Sequence, residues 1–385
     1  MADRDNPLKV GLVLDSGLDS LDGVQQYVLA IGKWLTLNGH EVHYLVGQTK
    51  RTDIANVQSL SRNIKVSFNG NTGTIPLLSN KRKIQKLLAI EQFNILHVQV
   101  PHHPWLAQRI ILAADPSTAI IGTFHIAPFN WLSMFGNKLL RVWLRPSLKR
   151  FDQIVSVSSA AADFASQTFD ISTEVLPNVI DYPRFHEAKP LKILLNKDKI
   201  NILFLGRLVE RKGCQLLLEA ALIISRRSPR LNFRLLICGT GPLEKRLRSY
   251  SKQYNMGKIV QFEGYVSESD KPNYYASSDI SVFPSTGGES FGIVLAEAMA
   301  SGHSVVLAGD NPGYRSVMQE QPNLLFNAKD STELANKLEY FMTHDQESKA
   351  MKKWAAAHAK IYDVNTVGHQ LIKIYSRALR NRNVR

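Results

Sequence analysis

The sequence predicts two α/β domains, each built on a mostly parallel β-sheet with helices on both faces. Short apolar, strand-like segments alternate with helical segments along nearly the whole chain. The chain has 385 residues, which is too long for one ordinary hydrophobic core. A Pro-containing stretch without clear periodicity, residues 181–199, divides the strand-like segments into two sets and is expected to be the linker.

The strand-like segments give the expected order of elements in each half. In the first half they are residues 10–14, 41–46, 95–98, 119–124, 153–157 and 174–176. In the second half they are residues 202–205, 233–237, 259–262, 280–283 and 304–307. Ligands of open α/β sheets collect beyond the carboxyl ends of the strands, so the residues that follow each strand are the first candidates for a site.

Composition narrows the class of protein. The hydrophobic fraction of 44% and the charged fraction of 21% are ordinary for a globular chain. No apolar run reaches the length of a membrane span, and the N-terminus lacks the basic-then-apolar order of a signal peptide, so we expect a cytoplasmic protein. Only Cys214 and Cys238 occur, with no Cys/His cluster near them, so buried reduced thiols are expected and zinc is not.

The net charge of +14 implies attraction to an anionic partner. Two basic amphipathic segments of the first half carry much of it, through Lys81, Arg82, Lys83 and Lys86 in one and Lys138, Arg141, Arg145, Lys149 and Arg150 in the other. Such segments bind anionic lipid headgroups or simply form solvated helix faces, and both interpretations stay open. No nucleic-acid-binding module is present, and the aromatic residues are not spaced as a base-stacking platform.

The segment 287–302, GGESFGIVLAEAMASG, is the most informative in the chain. It lies between two strand-like segments, which predicts a helix over 292–300 that ends at Gly302. The small residues before this helix and its free N–H groups suit a diphosphate. Glu289 in the loop and Glu297 in the helix, about 12 Å apart if all eight residues between them were helical, suit hydroxyl groups at two ends of one ligand.

This string resembles the E-x7-E donor motif of the family 4 glycosyltransferases, and within them it is most similar to the bacterial phosphatidylinositol mannosyltransferases. The resemblance covers nearly the full length. It implies a GT-B fold, in which two Rossmann-like domains flank an active-site cleft. The expected domains are residues 1–185, to which a final crossover helix at about 364–385 returns, and residues 186–363. The resemblance also implies a retaining, metal-independent hexosyltransferase with a nucleotide sugar as substrate and no cofactor.

Further candidate residues match other motifs of the family. The resemblance implies donor or acceptor contacts at Gly23, in a DGVQ element, and at His125, whose imidazole is able to carry charge near neutral pH. In GRLVERKG, Arg207 and Lys212 resemble the pair that stabilises the departing diphosphate, while Arg211 is interpreted as solvent-facing. Glu289 is expected to position the sugar hydroxyls.

The remaining donor contacts are expected from the helix start and the base-binding loop. The resemblance assigns the ribose to Glu297 and the ring to the backbone of Ser290, Phe291 and Gly292. Glu268, followed by Lys271, lies where the base would bind. A carboxylate accepts two hydrogen bonds from guanine but not from uracil, which favours GDP-mannose over a UDP-sugar.

Several functions stay open on the sequence alone. A UDP-sugar-dependent transferase, another GT-B enzyme such as a sugar-nucleotide epimerase or phosphorylase, and a non-catalytic sugar-nucleotide-binding protein share the expected fold. The acceptor is also open, a membrane lipid or a saccharide. Asp15 and Ser16 stand where phosphatidylinositol mannosyltransferases carry an aromatic residue, and Ile126 to Pro128 replace polar residues after the histidine, so an inositol lipid is not clearly indicated.

Overall fold

The computed structural model describes residues 7–20, 22–68, 71–125, 131–196 and 198–383. The chain divides into two compact units. Unit 1 contains Met1–Val179 and Val364–Arg385, and unit 2 contains Ile180–Asp363. Both are α/β units with parallel sheets, as the alternation of segments predicts.

Unit 1 is built on a seven-stranded parallel sheet and a two-stranded antiparallel hairpin. Its strands are β1 (Lys9–Leu14), β2 (Glu41–Val46), β3 (Val57–Ser59), β4 (Ser61–Phe68), β5 (Asn71–Ser79), β6 (Ile95–Gln99), β7 (Ala119–Phe124), β8 (Gln153–Ser156) and β9 (Glu174–Val175). The sheet order is β3-β2-β1-β6-β7-β8-β9, and β4 pairs with β5. The order reverses between β1 and β6, which makes this pair the switch point of the sheet.

Helices cover both faces of the first sheet. They are α1 (Gly23–Leu37), α2 (Lys81–Glu91), α3 (Leu106–Ala113), α4 (Trp131–Leu148), α5 (Ser159–Phe164) and α14 (Val364–Asn383). On one face, α1 and α14 share a core with the strands, and on the other α2 and α3 do so. The buried residues of α1, such as Tyr27, Ile31 and Trp34, recur every three or four positions, which is why this segment forms a helix with one apolar side.

Unit 2 has a six-stranded parallel sheet in the order β12-β11-β10-β13-β14-β15. The strands are β10 (Ile200–Leu205), β11 (Phe233–Cys238), β12 (Val260–Gly264), β13 (Ile280–Phe283), β14 (Val305–Gly309) and β15 (Leu325–Phe326). The helices are α6 (Tyr182–His186), α7 (Cys214–Arg227), α8 (Glu244–Gln253), α9 (Lys271–Ala276), α10 (Ile293–Ser301), α11 (Pro312–Met318), α12 (Ser331–Thr343) and α13 (Asp345–His358). This is the strand order of a Rossmann sheet, with its switch point between β10 and β13.

The stretch 181–199 is not a linker, and the prediction was wrong on this point. It contains α6 and a 3₁₀ turn, Lys192–Leu194, and it packs within unit 2. The Leu191 N–H donates to Ser277 Oγ at 2.8 Å, and Leu194 is buried. Ile180 forms a parallel bridge with Asp363, so unit 2 begins at residue 180 rather than at the expected residue 186.

Candidate functional site

The candidate site of unit 2 lies at the carboxyl end of its sheet, beside the switch point. Strands β10 and β13 are neighbours there, and the chain continues from them to opposite sides of the sheet. The loop after β10 contains residues 206–213, and the loop after β13 contains residues 284–292. Two loops that leave adjacent strands in this way form the crevice in which open α/β sheets bind ligands.

A carboxylate held by two cations is the central feature of these loops. Glu289 Oε1 accepts hydrogen bonds from Arg211 at 2.7 Å, from Lys212 Nζ at 2.8 Å and from Ser285 Oγ at 2.8 Å. Only 12% of the Glu289 side chain is exposed. Burial acts to raise its pKa, but the charges of Lys212 and Arg211 outweigh burial and lower the pKa below its usual value. Glu289 is therefore an anion at neutral pH.

The basic side chains of the loop after β10 do not all have the contacts that the sequence predicted. Lys212 pairs with Glu289, but so does Arg211, which was wrongly interpreted as solvent-facing and is only 17% exposed. Its carbonyl oxygen also accepts from the Thr286 N–H at 2.9 Å, which fixes the two loops together. The half-buried Arg207 side chain has no ion pair with any described residue. It is thus the cation of this loop that remains available to a ligand.

Close backbone packing sets the position of Glu289. Asn311 caps α11 by accepting from the Tyr314 N–H at 3.1 Å, and its amide donates to the carbonyl of Ser285 at 3.1 Å. A Cβ atom on Gly313 would lie 2.2 Å from the carbonyl oxygen of Glu289. Only glycine allows the first turn of α11 to approach the loop this closely.

The start of α10 also depends on a glycine. Gly292 precedes the helix with φ of 102°, and a Cβ atom there would lie 2.6 Å from the ring of Tyr314. The helix ends before Gly302, as predicted. Phe291 is buried with its ring against Tyr362, so only its backbone is able to face a ligand. The N-cap residue of α10, Gly292, has no side chain with which to cap the helix, which leaves first-turn N–H groups for an anion.

Glu297 lies in a second cluster, apart from the Glu289 contacts. Lys271 Nζ is 3.1 Å from Glu297 Oε1 and 2.8 Å from Glu268 Oε2, and the Tyr275 hydroxyl donates to Glu297 Oε2 at 3.3 Å. Glu297 and Lys271 are 3% and 6% exposed. Burial raises the pKa of Glu297, although the charge of Lys271 acts to lower it. Burial acts to lower the pKa of Lys271, but the carboxylates of Glu297 and Glu268 together outweigh burial and raise it.

Glu268 is the accessible member of this second cluster. About a third of its side chain, 32%, is exposed, whereas the other two charged groups are enclosed. Arg184 of α6 donates to its backbone carbonyl. Tyr275 was not predicted, although its spacing indicates it: Lys271 and Tyr275 are four residues apart in α9 and therefore lie on one side of that helix.

In unit 1, the two predicted residues lie in very different surroundings. A Cβ atom on Gly23, at the start of α1, would meet nothing within 4 Å. His125 follows β7, is 4% exposed, and pairs through Nε2 with Gln99 Oε1 at 2.7 Å. Its ring packs edge-on against Tyr27. Burial lowers the pKa of His125 to about 3 although Asn178 acts in the opposite direction, so the imidazole is neutral at pH 7 and does not titrate near neutral pH.

One group of side chains in the described part of the chain has the composition of a metal site. Glu41, His43 and Glu91 offer ligand atoms within 4.8 Å of one another. Lys9 Nζ already binds both carboxylates, at 3.1 Å and 2.6 Å, and supplies the positive charge there. Lys9 and Glu41 begin β1 and β2, so this group lies at the amino end of the sheet, opposite to the end where ligands collect.

The basic segments identified in the sequence form α2 and α4. The second half of α4 exposes 74% of Val142 and 63% of Trp143, and Arg141 next to them pairs with Asp170 at 2.8 Å. Residues 126–130, which include the replaced polar positions, lie outside the described residues, as do the side chains of 131–139. None of the helices in the described ranges has the length and apolar character required to cross a bilayer.

Both units match families of known proteins. Residues 21–184 match the model of Glycosyltransferase Family 4, and residues 186–358 match Glycosyl transferases group 1. The chain is 29% identical over 372 residues to the phosphatidyl-myo-inositol mannosyltransferase of Mycolicibacterium smegmatis, which covers 96% of this chain and 93% of that protein. The chain is also 29% identical over 392 residues to the phosphatidyl-myo-inositol mannosyltransferase of Propionibacterium freudenreichii. This match covers 97% of this chain and 96% of that protein.

A solved structure shows the same fold over the full length. The glycosyltransferase from Rickettsia africae superposes with a TM-score of 0.79 at 19% identity, which covers 98% of this chain and 100% of that one. The predicted GT-B class, with two Rossmann-like units, is thereby confirmed.

Proposed function

Because the chain belongs to the family 4 glycosyltransferases, we propose that it transfers a hexose, with retention of anomeric configuration, from a nucleotide diphosphate sugar to an acceptor hydroxyl. The observation that carries the proposal is the ionised Glu289 between Arg211 and Lys212, next to the open start of α10. An anion in this position accepts hydrogen bonds from sugar hydroxyls. The adjoining cations attract the diphosphate.

In the proposed reaction, the bond between the anomeric carbon and the diphosphate oxygen breaks and a bond to the acceptor oxygen forms. The acceptor proton passes to the departing phosphate. Arg207 and Lys212 neutralise the charge that grows on that phosphate, and this stabilises the transition state more than the ground state. The N–H groups at the start of α10 add to this stabilisation. These groups supply the neutralisation without a metal ion.

The donor that the site suits best is GDP-mannose. About a third of the Glu268 side chain is exposed, and a carboxylate is able to accept the two N–H groups that guanine presents and uracil lacks. The relatives are named mannosyltransferases, which supports mannose as the sugar. Glu297, held by Lys271 and Tyr275, is proposed to bind the ribose.

The proposed acceptor is a hydroxyl of a membrane lipid. The relatives are named for phosphatidyl-myo-inositol, and the chain carries a net charge of +14. Unit 1 exposes Trp143 and Val142 beside basic residues of α4, a combination that suits peripheral contact with an anionic membrane. His125, as a neutral hydrogen-bonding group, is proposed to contribute on the acceptor side.

Thermal denaturation with GDP-, UDP- and ADP-sugars tests the donor assignment, because a ligand of the folded state raises the midpoint. We expect the largest shift with GDP-mannose. A larger shift with a UDP- or ADP-sugar would overturn the choice of base.

Turnover tests the reaction itself. With labelled donor and phosphatidylinositol vesicles, Arg207→Gln and Lys212→Gln should each lower hexose transfer by about 10²-fold or more. Lys258→Gln, on a 3₁₀ turn of unit 2, serves as the matched control. Full transfer by both variants would refute the assigned roles, and formation of an epimer or a sugar phosphate would refute glycosyl transfer.

A further inference from the structure

The switch point of the first sheet carries a side-chain pair that the preceding proposal does not use. Strands β1 and β6 are adjacent, and the chain leaves them toward opposite sides of the sheet. Asp15 is the first residue after β1, and His103 lies in the loop after β6. This is the position in unit 1 where an open α/β sheet binds its ligand.

Asp15 is a buried carboxyl group with one occupied oxygen and one unoccupied oxygen. Its Oδ1 accepts from the Ala107 N–H at 2.7 Å, at the start of α3. Its Oδ2 is buried and has no hydrogen-bond partner among the described residues. Burial raises the pKa of Asp15 to about 7, although the Ala107 hydrogen bond acts to lower it. A buried polar atom without a hydrogen-bond partner destabilises the folded chain, and such atoms are rare unless they have a function.

His103 is the exposed residue next to this oxygen. Its Nδ1 lies 3.8 Å from Asp15 Oδ2, and 39% of the His103 side chain is exposed against 5% for Asp15. The backbone of His103 is fixed on both sides, because its N–H donates to Val100 and its carbonyl accepts from Gln108. The loop therefore places Nδ1 of the imidazole facing Asp15 Oδ2, at a distance slightly too long for a hydrogen bond in the ligand-free chain.

The backbone of this loop is strained. Val100, directly after β6, has φ of 55°, a conformation that a β-branched residue rarely adopts. Its N–H donates to Thr123 on β7, which keeps the turn in place. Strain of this kind persists where the surrounding structure imposes it, and it is concentrated at functional sites.

The neighbouring His102 shows what a structural histidine looks like here. It is 5% exposed, and its ring stacks on Phe124 at 5.3 Å between Phe164 and Phe169. The ring of His102 also packs against that of His103, with the ring centroids 5.2 Å apart. None of the ion pairs formed by the described residues involves His102. The two adjacent histidines thus differ in the property that matters for a ligand, since only His103 combines exposure with a carboxyl group behind it.

We propose that Asp15 and His103 form a carboxyl–imidazole pair that binds a hydroxyl group of the acceptor, a polyol or a polyol head group. His103 contacts the hydroxyl. Asp15 is a positioning residue: when the acceptor binds, its Oδ2 accepts a hydrogen bond from His103 Nδ1–H, which holds the imidazole in one orientation and one tautomer. The inference rests on the proposed function, because it is the acceptor of glycosyl transfer that this pair receives. His103 lies in the loop after β6, where the family motifs gave no candidate residue.

The test uses the full chain labelled with ¹⁵N-histidine, with ring resonances followed by NMR. His103→Gln identifies the His103 signals by their loss. Titration with myo-inositol, glycerol 3-phosphate and methyl α-mannoside is expected to shift the His103 ring resonances for at least one of these probes. In Asp15→Asn, which retains the Ala107 hydrogen bond, the dissociation constant of that probe should rise about tenfold. The ring should also lose its single tautomer.

Asp163→Asn is the matched control, because Asp163 is an exposed carboxylate of α5 in the same unit. The proposal is overturned if no probe moves the His103 resonances, or if Asp15→Asn binds the probe within about twofold of the unsubstituted chain. Donor binding is measured separately by thermal denaturation with GDP-mannose. Failure of donor binding with an intact His103 response would refute the transferase proposal and leave the polyol site standing.

Discussion

Replacement of Glu289 by glutamine separates the electrostatic role of this residue from its shape. The amide keeps an oxygen that accepts hydrogen bonds, but it removes the negative charge that Arg211 and Lys212 now share. A hydrogen bond to a charged group contributes roughly 1.5–3 kcal/mol. Because glutamine is neutral, its hydrogen bonds to Arg211 and Lys212 are weaker, and we expect the free energy of unfolding to fall by about 1.5–3 kcal/mol. Turnover should fall about 10²- to 10³-fold, as when one preorganised transition-state contact is removed.

Binding of the bare nucleoside diphosphate should change in the opposite direction. In the ligand-free chain Lys212 Nζ lies 2.8 Å from Glu289 Oε1, so a phosphate that binds Lys212 has to compete with this carboxylate. Glu289→Gln removes this competitor, and GDP should bind several-fold more tightly by calorimetry. Transfer of labelled hexose gives the turnover. Glu244→Gln is the control, because Glu244 forms only an exposed pair with Arg248 in the same unit. Weaker GDP binding together with unchanged turnover would refute the reasoning.

Three further predictions concern stability. Lys271→Met leaves two carboxylates without their shared cation in an enclosed site, so chemical denaturation should show a loss of about 3–5 kcal/mol, and an unchanged midpoint would contradict it. Gly292→Ala forces a side chain into a left-handed conformation against Tyr314 and should cost about 1–3 kcal/mol, whereas Gly23→Ala, with open space at its Cβ, should cost much less. Asp15 has a pKa raised from 3.8 to about 7 in the folded state, so the native chain holds a proton that the unfolded chain releases. Relative to Asp15→Asn, the unsubstituted chain should therefore lose about 1.4 kcal/mol of stability per pH unit between about pH 4 and pH 7, and a flat difference in denaturation midpoints would contradict this.

The fold was predictable because its signals are local and repeated. Buried parallel strands read as short apolar runs, and the helix α10 follows from small residues and a terminal glycine between two such runs. The stretch 181–199 was misinterpreted because its elements are too short to show a period. Its place in unit 2 is set by long-range contacts, such as the hydrogen bond from Leu191 to Ser277, which no local pattern reveals.

The candidate site was predictable in its membership but not in its pairing. Glu289 and Lys212 were expected at one site from their motifs, and the structure brings them together. The part played by Arg211 was not predicted, because its contact with Glu289 depends on how the 3₁₀ turn at residues 210–212 lies against the loop after β13, and no local pattern shows this. The lowered pKa of His125 was not predictable either, since its burial depends on packing by residues distant in sequence, such as Tyr27.

The contact between Gly313 and the carbonyl of Glu289 limits how this chain could acquire a new sugar preference. A loop fixed by main-chain contact with a distant turn tolerates neither an inserted residue nor a lost one without displacing its neighbour. Diversification, whether by natural drift or in a laboratory library, has to proceed by exchanging side chains on an unaltered loop, and residue 313 belongs among the positions that such a library leaves constant.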